Sequence, residues 1–227
     1  MQDAAQYVVA LGTTDSADQM RLAAHAIGRL RKTVLIKASS LWRSAPSGPA
    51  EQQFLNAVVV VRSIGSPEWV LRELHGIEKR LGRTRPSRRW TERAIDLDLI
   101  AGVEATGLAI ERGTPQLWLP HRLAVFRRFV LDPLVECQPD TPLFDDTAAG
   151  CLERLQKRPL RLHGPAAVEH DDVVWTAAAS AAIRFVEDVA PHSATALPLP
   201  AVPLADPERT HAILTGLLDE PVAIEAL

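Results

Sequence analysis

Residues 95–100, Ile95-Asp96-Leu97-Asp98-Leu99-Ile100, alternate apolar and acidic side chains with the period of two of a half-buried β-strand. That geometry sends Ile95, Leu97 and Leu99 to one face and both aspartates to the other, their Cα atoms ~7 Å apart. A solvated acidic face on an ordinary amphipathic strand would read the same way. The surrounding residues decide between the two readings.

Immediately upstream, residues 80–93 hold six arginines in fourteen positions: Arg80, Arg83, Arg85, Arg88, Arg89 and Arg93. A planar guanidinium makes multidentate contact with phosphate, and a pair of hard carboxylates beside it suits Mg²⁺ bridging the phosphates of ATP. Neither Gly-x-x-x-x-Gly-Lys-Ser/Thr nor Gly-x-Gly-x-x-Gly occurs, so an ATP site in this chain must rest on side chains.

Further upstream, Tyr7–Leu11 reads as a buried strand, and Asp15 or Ser16 caps a helix whose apolar stripe is Met20, Ala23, Ala26, Ile27 and Leu30. Residues 34–41 read as one strand, 43–49 as a loop and Phe54–Val61 as a further strand. Ser66-Pro67-Glu68 starts a second helix, with a stripe of Val70, Leu71, Leu74, Ile77 and Leu81 and a stop at Gly82. The order is β-α-β-β-α-β, so the expected class is α+β: a ferredoxin-like antiparallel sheet with helices packed on one face.

The composition fits a globular enzyme, with 47% apolar and 23% charged residues and no 18-residue apolar run. No basic leader precedes the first apolar stretch, so a cytoplasmic chain without a membrane span is expected. Net charge is −3, which argues against an extended nucleic-acid surface. The charge is uneven: residues 1–159 carry 22 basic against 18 acidic side chains, while residues 160–227 carry ten acidic and three Arg. Cys137 and Cys151 show no metal-ligand spacing and read as free structural thiols. The expected division is a catalytic domain at 1–158 and an acidic, Pro/Ala-rich extension at 159–227. In that extension Val173–Asp188 reads as helix, and Ala190–Pro207, with five prolines, as irregular.

Four blocks in order carry a resemblance over about residues 6–138. They are Ala10-Leu11-Gly12; Arg43-Ser44-Ala45-Pro46-Ser47-Gly48-Pro49 leading to Phe54-Leu55-Asn56-Ala57; Gly82-Arg83 through Arg89-Trp90 to Arg93-Ala94-Ile95-Asp96-Leu97-Asp98; and Leu119-Pro120-His121 with Arg127-Arg128-Phe129-Val130-Leu131 and Pro133-Leu134. In these the chain resembles the 6-hydroxymethyl-7,8-dihydropterin pyrophosphokinases of folate synthesis. The resemblance implies transfer of diphosphate from ATP to a hydroxymethyl-dihydropterin, with Asp96 and Asp98 holding two Mg²⁺ ions. It implies that Arg83 and Arg93 meet the phosphates during transfer and that Arg85, Arg89, Trp90, His121 and Arg127 line the ATP side. It also implies a pterin stacked between Phe54 and Phe129, with Ser44 and the Asn56 amide at the heterocycle's edge.

The chain departs from that family's pattern in places. Thr91-Glu92 replace Gly-Pro and Ala94 replaces Thr before the aspartates, Thr13-Thr14 follow Gly12 in place of Ser-Asn, and Gln116 and Trp118 stand where Arg and a Thr-like residue are common. Two other readings stay open on the sequence: a paralogue acting on another pterin, as in a methanopterin-type pathway, and a pterin- or nucleotide-binding protein without turnover. The extension has no counterpart in the resemblance and reads as an appended module or as a segment for docking a protein partner.

Overall fold

The structure is a computed structural model that describes residues 4–14, 16–44, 53–83, 94–157, 161–162, 167–170, 173–178, 182–184 and 221–227. The chain runs through β1 (Ala5–Thr13), α1 (Ala17–Gly28), β2 (Thr33–Ala38), β3 (Ser40–Ser44), β4 (Phe54–Ser63), α2 (Pro67–Arg80) and β5 (Asp96–Val103). The short hairpin β6 (Arg112–Gly113) and β7 (Trp118–Leu119) follows, then α3 (Arg128–Cys137), the hairpin β8 (Pro142–Leu143) and β9 (Asp146–Thr147), and α4 (Ala148–Lys157).

β1 sits between β5 and β4 and pairs antiparallel with both. β2 and β3 both continue the sheet along β4. They form one bent strand rather than the single straight one expected over 34–41. The bend is at Ser39, whose N–H donates to Val58 O and whose Oγ accepts from Val58 N–H, each at 2.9 Å. A hydroxyl thus takes the Val58 N–H that the break would leave open.

The two helices expected from the pattern form with their expected starts. Ser16 accepts from Gln19 N–H at the start of α1, and Ser66 accepts from Trp69 N–H ahead of Pro67 at the start of α2. Val70, Leu74 and Ile77 of α2 and Met20, Ala23 and Ile27 of α1 bury against Tyr7, Val9, Leu11, Val59 and Val61. Each large aliphatic side chain fully buried here is worth about 1.5–3 kcal/mol.

The expectation of helices on one face is corrected. α3 and α4 cover the opposite face, where Val130, Leu131, Leu134, Cys151 and Leu152 pack on Val8, Val58, Val60 and Ile100. The sequence signal for this second layer is Ala57-Val58-Val59-Val60-Val61, an unbroken apolar run that is buried throughout. Such a run belongs to a strand covered on both sides, not to one with a wet face. Cys137 and Cys151 are free and buried in this layer, where burial pushes both thiols up to about 11. They are protonated packing residues.

A second sheet joins β10 (Arg161–Leu162), β11 (Ala167–His170), β12 (Val173–Ala178) and β13 (Ala182–Arg184) in that order. The helix expected over 173–188 is therefore corrected to strand at 173–178 and 182–184, and its other residues lie outside the described ones. Val173-Val174-Trp175-Thr176 is β-branched and aromatic, and it pairs antiparallel with β11. Residues 190–207, expected to be irregular, lie outside the described residues. The last strand, β14 (Val222–Ala226), returns to the main sheet and pairs antiparallel with β3. Among the described residues no helix is long and apolar enough to cross a membrane.

Candidate active site

The site lies at one end of the main sheet, where a row of residues crosses three strands. Gly12 of β1 pairs with Asn56 of β4 on one side and with Asp96 of β5 on the other; Ala10 pairs with Asp98. Strand alternation puts Asn56, Asp96 and Asp98 on the face that carries α3. Gly12 leaves the middle of the row without a side chain, so the amide and the carboxylates face one another across an open floor.

Asp96 and Asp98 keep 27% and 44% of their side-chain surface exposed, enough to receive ligands. Each is met by a guanidinium: Arg83 Nη1 is 2.6 Å from Asp96 Oδ1, and Arg127 Nη1 is 3.9 Å from Asp98 Oδ2. Among the described residues no group of three or more His, Cys, Asp or Glu forms that could hold a metal. A cation at the two aspartates would draw its remaining ligands from substrate oxygens and water, the habit of Mg²⁺.

Local sequence explains the place of Arg83. Gly82 adopts φ +93°, the left-handed region that glycine enters without strain, and ends α2. Arg83 N–H then donates to Glu78 O at 3.0 Å and Gly82 N–H to Lys79 O at 3.4 Å, the paired bonds of a Schellman cap. The cap turns Arg83 back over its own helix, where its guanidinium ion-pairs with Glu78 as well as with Asp96. Glu78, 2% exposed, also accepts from Leu97 N–H at 2.9 Å, between the two aspartates. One buried carboxylate therefore fixes both the arginine and the strand that carries the acidic pair.

Glu78 was not among the expected site residues. Its signal is present nonetheless: it falls one turn after Leu74 and next to Ile77, a carboxylate inside the buried stripe of α2.

His121 follows the cis Leu119–Pro120 bond, and its N–H donates to Ile100 O at 2.7 Å, docking the segment beside β5. Leu123 N–H donates to His121 Nδ1 at 3.2 Å, which leaves the ring proton on Nε2. Burial, then the nearby Arg127 charge, push the imidazole down to about 3, against the opposing influence of Asp96. The ring is neutral at physiological pH.

Asn56, buried, donates from Nδ2 to Ser44 Oγ at 2.8 Å. Its Oδ1 faces Gly12, 3.8 Å from where a Cβ on that residue would stand. Ser44 thus settles which end of the amide faces the open floor. Phe54 pairs with Ser44 at the start of β4, and Phe129 lies in the first turn of α3 with the Arg127 guanidinium 5.6 Å from its ring centre. Trp118 and Arg122, on either side of His121, stack with the guanidinium 3.3 Å from the indole centre, a contact the sequence reading did not foresee. Of the expected site residues, Arg85, Arg89, Trp90 and Arg93 lie outside the described residues.

A model of the family 7,8-dihydro-6-hydroxymethylpterin-pyrophosphokinase (HPPK) matches residues 8–139, the span that contains every site element just described. The chain belongs to the HPPK family. Two of its relatives are proteins named 2-amino-4-hydroxy-6-hydroxymethyldihydropteridine pyrophosphokinase. That of Haemophilus influenzae is 39% identical over 139 residues, covering 60% of this chain and 82% of the relative. That of Pseudomonas aeruginosa is 38% identical over 141 residues, covering 60% and 83%. Among solved structures, Plasmodium falciparum HPPK-DHPS wild type with SDX-DHP superposes with a TM-score of 0.50 at 14% identity. The match covers 69% of this chain and 46% of that one, less than half of its length, and bears on the HPPK fold alone.

Proposed function

We propose that this chain transfers the diphosphoryl group of ATP to the hydroxymethyl group of 6-hydroxymethyl-7,8-dihydropterin, releasing AMP and the pterin diphosphate of folate synthesis. The observation that carries the reading is the acidic pair Asp96 and Asp98, flanked by Arg83 and Arg127, inside the span matched by the HPPK family. The sheet order β5-β1-β4-β3 with two crossing helices supports a ferredoxin-like arrangement around it.

In the reaction the hydroxymethyl oxygen attacks the β-phosphorus, the bridging oxygen between the α- and β-phosphorus leaves with AMP, and the hydroxyl proton passes to solvent. The two aspartates, partly exposed hard oxygen donors, suit Mg²⁺, two ions in this reading, which when bound neutralises phosphate charge. Arg83, poised on Asp96, and Arg127, near Asp98, present cations to phosphate oxygens as substrate arrives. The neutral His121 offers Nε2–H to an anionic oxygen without adding charge. Asn56, oriented by Ser44, reads the pterin edge with an amide oxygen, while Phe54 and Phe129 supply stacking area. By the family pattern Arg85, Arg89, Trp90 and Arg93 complete the ATP side.

The test is AMP release from ATP with and without the pterin, run over a panel of hydroxymethyl-pterins. Release that depends on 6-hydroxymethyl-7,8-dihydropterin supports the assignment; activity with a different pterin alone, or pterin binding without AMP, contradicts it.

A further inference from the structure

Residues 222–226 add a strand to the edge of the main sheet. Val222, Ala223, Glu225 and Ala226 of β14 pair with Arg43, Trp42, Leu41 and Ser40 of β3, with an irregularity between Ala223 and Glu225. Two apolar anchors flank this strand: Pro221 is buried, and Leu227 packs against the core beneath α1 and α2; the Glu225–Arg21 pair at 2.8 Å is half-exposed and adds little.

Without it β3 pairs on one side only. The strand is five residues long and pairs with β4 at three positions, Trp42 with Asn56, Arg43 with Leu55 and Ser44 with Phe54. Leu41 is buried in the core and Ser44 bonds Asn56, while the start of the strand is tied to α3 by Glu136, which accepts from Ser40 N–H, Ser40 Oγ and Trp42 Nε1 at 2.8–2.9 Å. All three of those bonds are solvent-exposed, where a charged pair or hydrogen bond contributes little. A short edge strand with an open row of backbone groups frays, and a strand added to that edge satisfies the row.

β3 also ends on Ser44, the hydroxyl that orients Asn56. We infer that residues 221–227 form a latch that holds β3 in register and so positions Ser44 and Asn56 for the pterin. β14 is then a positioning element of the pterin half of the site, although it is more than 170 residues from Ser44 in sequence. β14 contacts neither Asp96 nor Asp98, which lie across the sheet on β5, so the nucleotide half is independent of it. The inference rests on the proposed pterin activity for its ligand, and on backbone pairing alone for its mechanics.

The experiment compares the full chain with a variant ending at Glu220, and with full-length Ala223→Pro in case the shortened chain does not fold. Two quantities are read: amide hydrogen exchange of residues 41–44, and affinity for 6-hydroxymethylpterin and for a non-hydrolysable ATP analogue with Mg²⁺. The latch predicts faster exchange in β3 but not in β1, and pterin affinity weakened about tenfold, the equivalent of roughly one hydrogen bond. Analogue affinity should stay within about twofold. A peptide of residues 219–227 added in trans should restore pterin affinity to the shortened chain. Unchanged exchange in β3, or equal loss of both ligands, overturns the latch. A full chain that binds the analogue but no pterin instead sinks the functional assignment, and the exchange arm still decides whether β14 holds β3.

Discussion

Arg83 Nη1 stands 2.6 Å from Asp96 Oδ1 while Glu78, from the same helix as the cap that places Arg83, ion-pairs with that guanidinium from the buried side. The arginine is shared between a carboxylate that is buried and one that is open. In the proposed reaction a phosphate arriving at the open side would compete for a cation already desolvated and oriented, so little side-chain ordering would remain to be done at binding.

Replacing Asp96 or Asp98 with Ala should lower turnover by at least ~100-fold while leaving the unfolding midpoint nearly unchanged. Both carboxylates are partly exposed and pair with arginines, so neither supports the core. Steady-state AMP release and urea unfolding check the two halves. Turnover above a tenth of the parent in both variants would remove the metal assignment.

Glu78→Ala should behave in the opposite way and destabilise the fold by ~1–3 kcal/mol, because it leaves Leu97 N–H buried without its acceptor and leaves Arg83 with Asp96 alone of its two carboxylates. Glu78→Gln keeps an acceptor for Leu97 and should cost less. Urea unfolding of the pair measures the difference; equal stability of all three proteins would contradict the role assigned to this carboxylate.

The pH dependence of stability should carry a contribution from His121. Its folded imidazole titrates near 3 in place of the ordinary 6.5, so the unfolded chain takes up a proton that the folded chain refuses. This contribution is absent above about pH 6.5 and becomes increasingly destabilising as pH falls towards about 3. His121→Asn, which can still accept from Leu123 N–H, should lose less stability than the parent between pH 7 and pH 5. Identical slopes in urea midpoint against pH would show that the buried ring is not the cause.

Much of this was legible from residue order. The alternation at 95–100 placed two carboxylates on one face, and Ser66-Pro67 and Gly82 marked both ends of α2. The second helical layer was harder to read, because α3 is short and has Pro133 inside it. Its trace was in β4, whose uninterrupted valines need cover on both sides. Glu78 escaped because a charge in a buried stripe looks like an imperfection until its partners, Arg83 and Leu97 N–H, are brought to it. The return of β14 to β3 is a long-range pairing that no local periodicity encodes.

Phe54→Ala and Phe129→Ala should separate the two substrates. If the rings stack on the pterin, each substitution weakens pterin binding by ~1–3 kcal/mol, by analogy with base–aromatic stacking, and leaves nucleotide binding nearly unchanged. Calorimetry with Mg²⁺ and a non-hydrolysable ATP analogue, then pterin, reads both terms after circular dichroism confirms folding. Collapse of analogue binding with pterin binding intact would reassign the rings.

Diphosphoryl transfer moves the group from ATP to the pterin as one unit. Phosphorus NMR of a reaction containing the full chain, Mg²⁺, ATP and 6-hydroxymethyl-7,8-dihydropterin observes this directly. AMP and a pterin diphosphate are expected in equal amounts, with both formed at least ~100-fold more slowly by Asp96→Ala. ADP with a pterin monophosphate, or AMP and free pyrophosphate formed without the pterin, would contradict it.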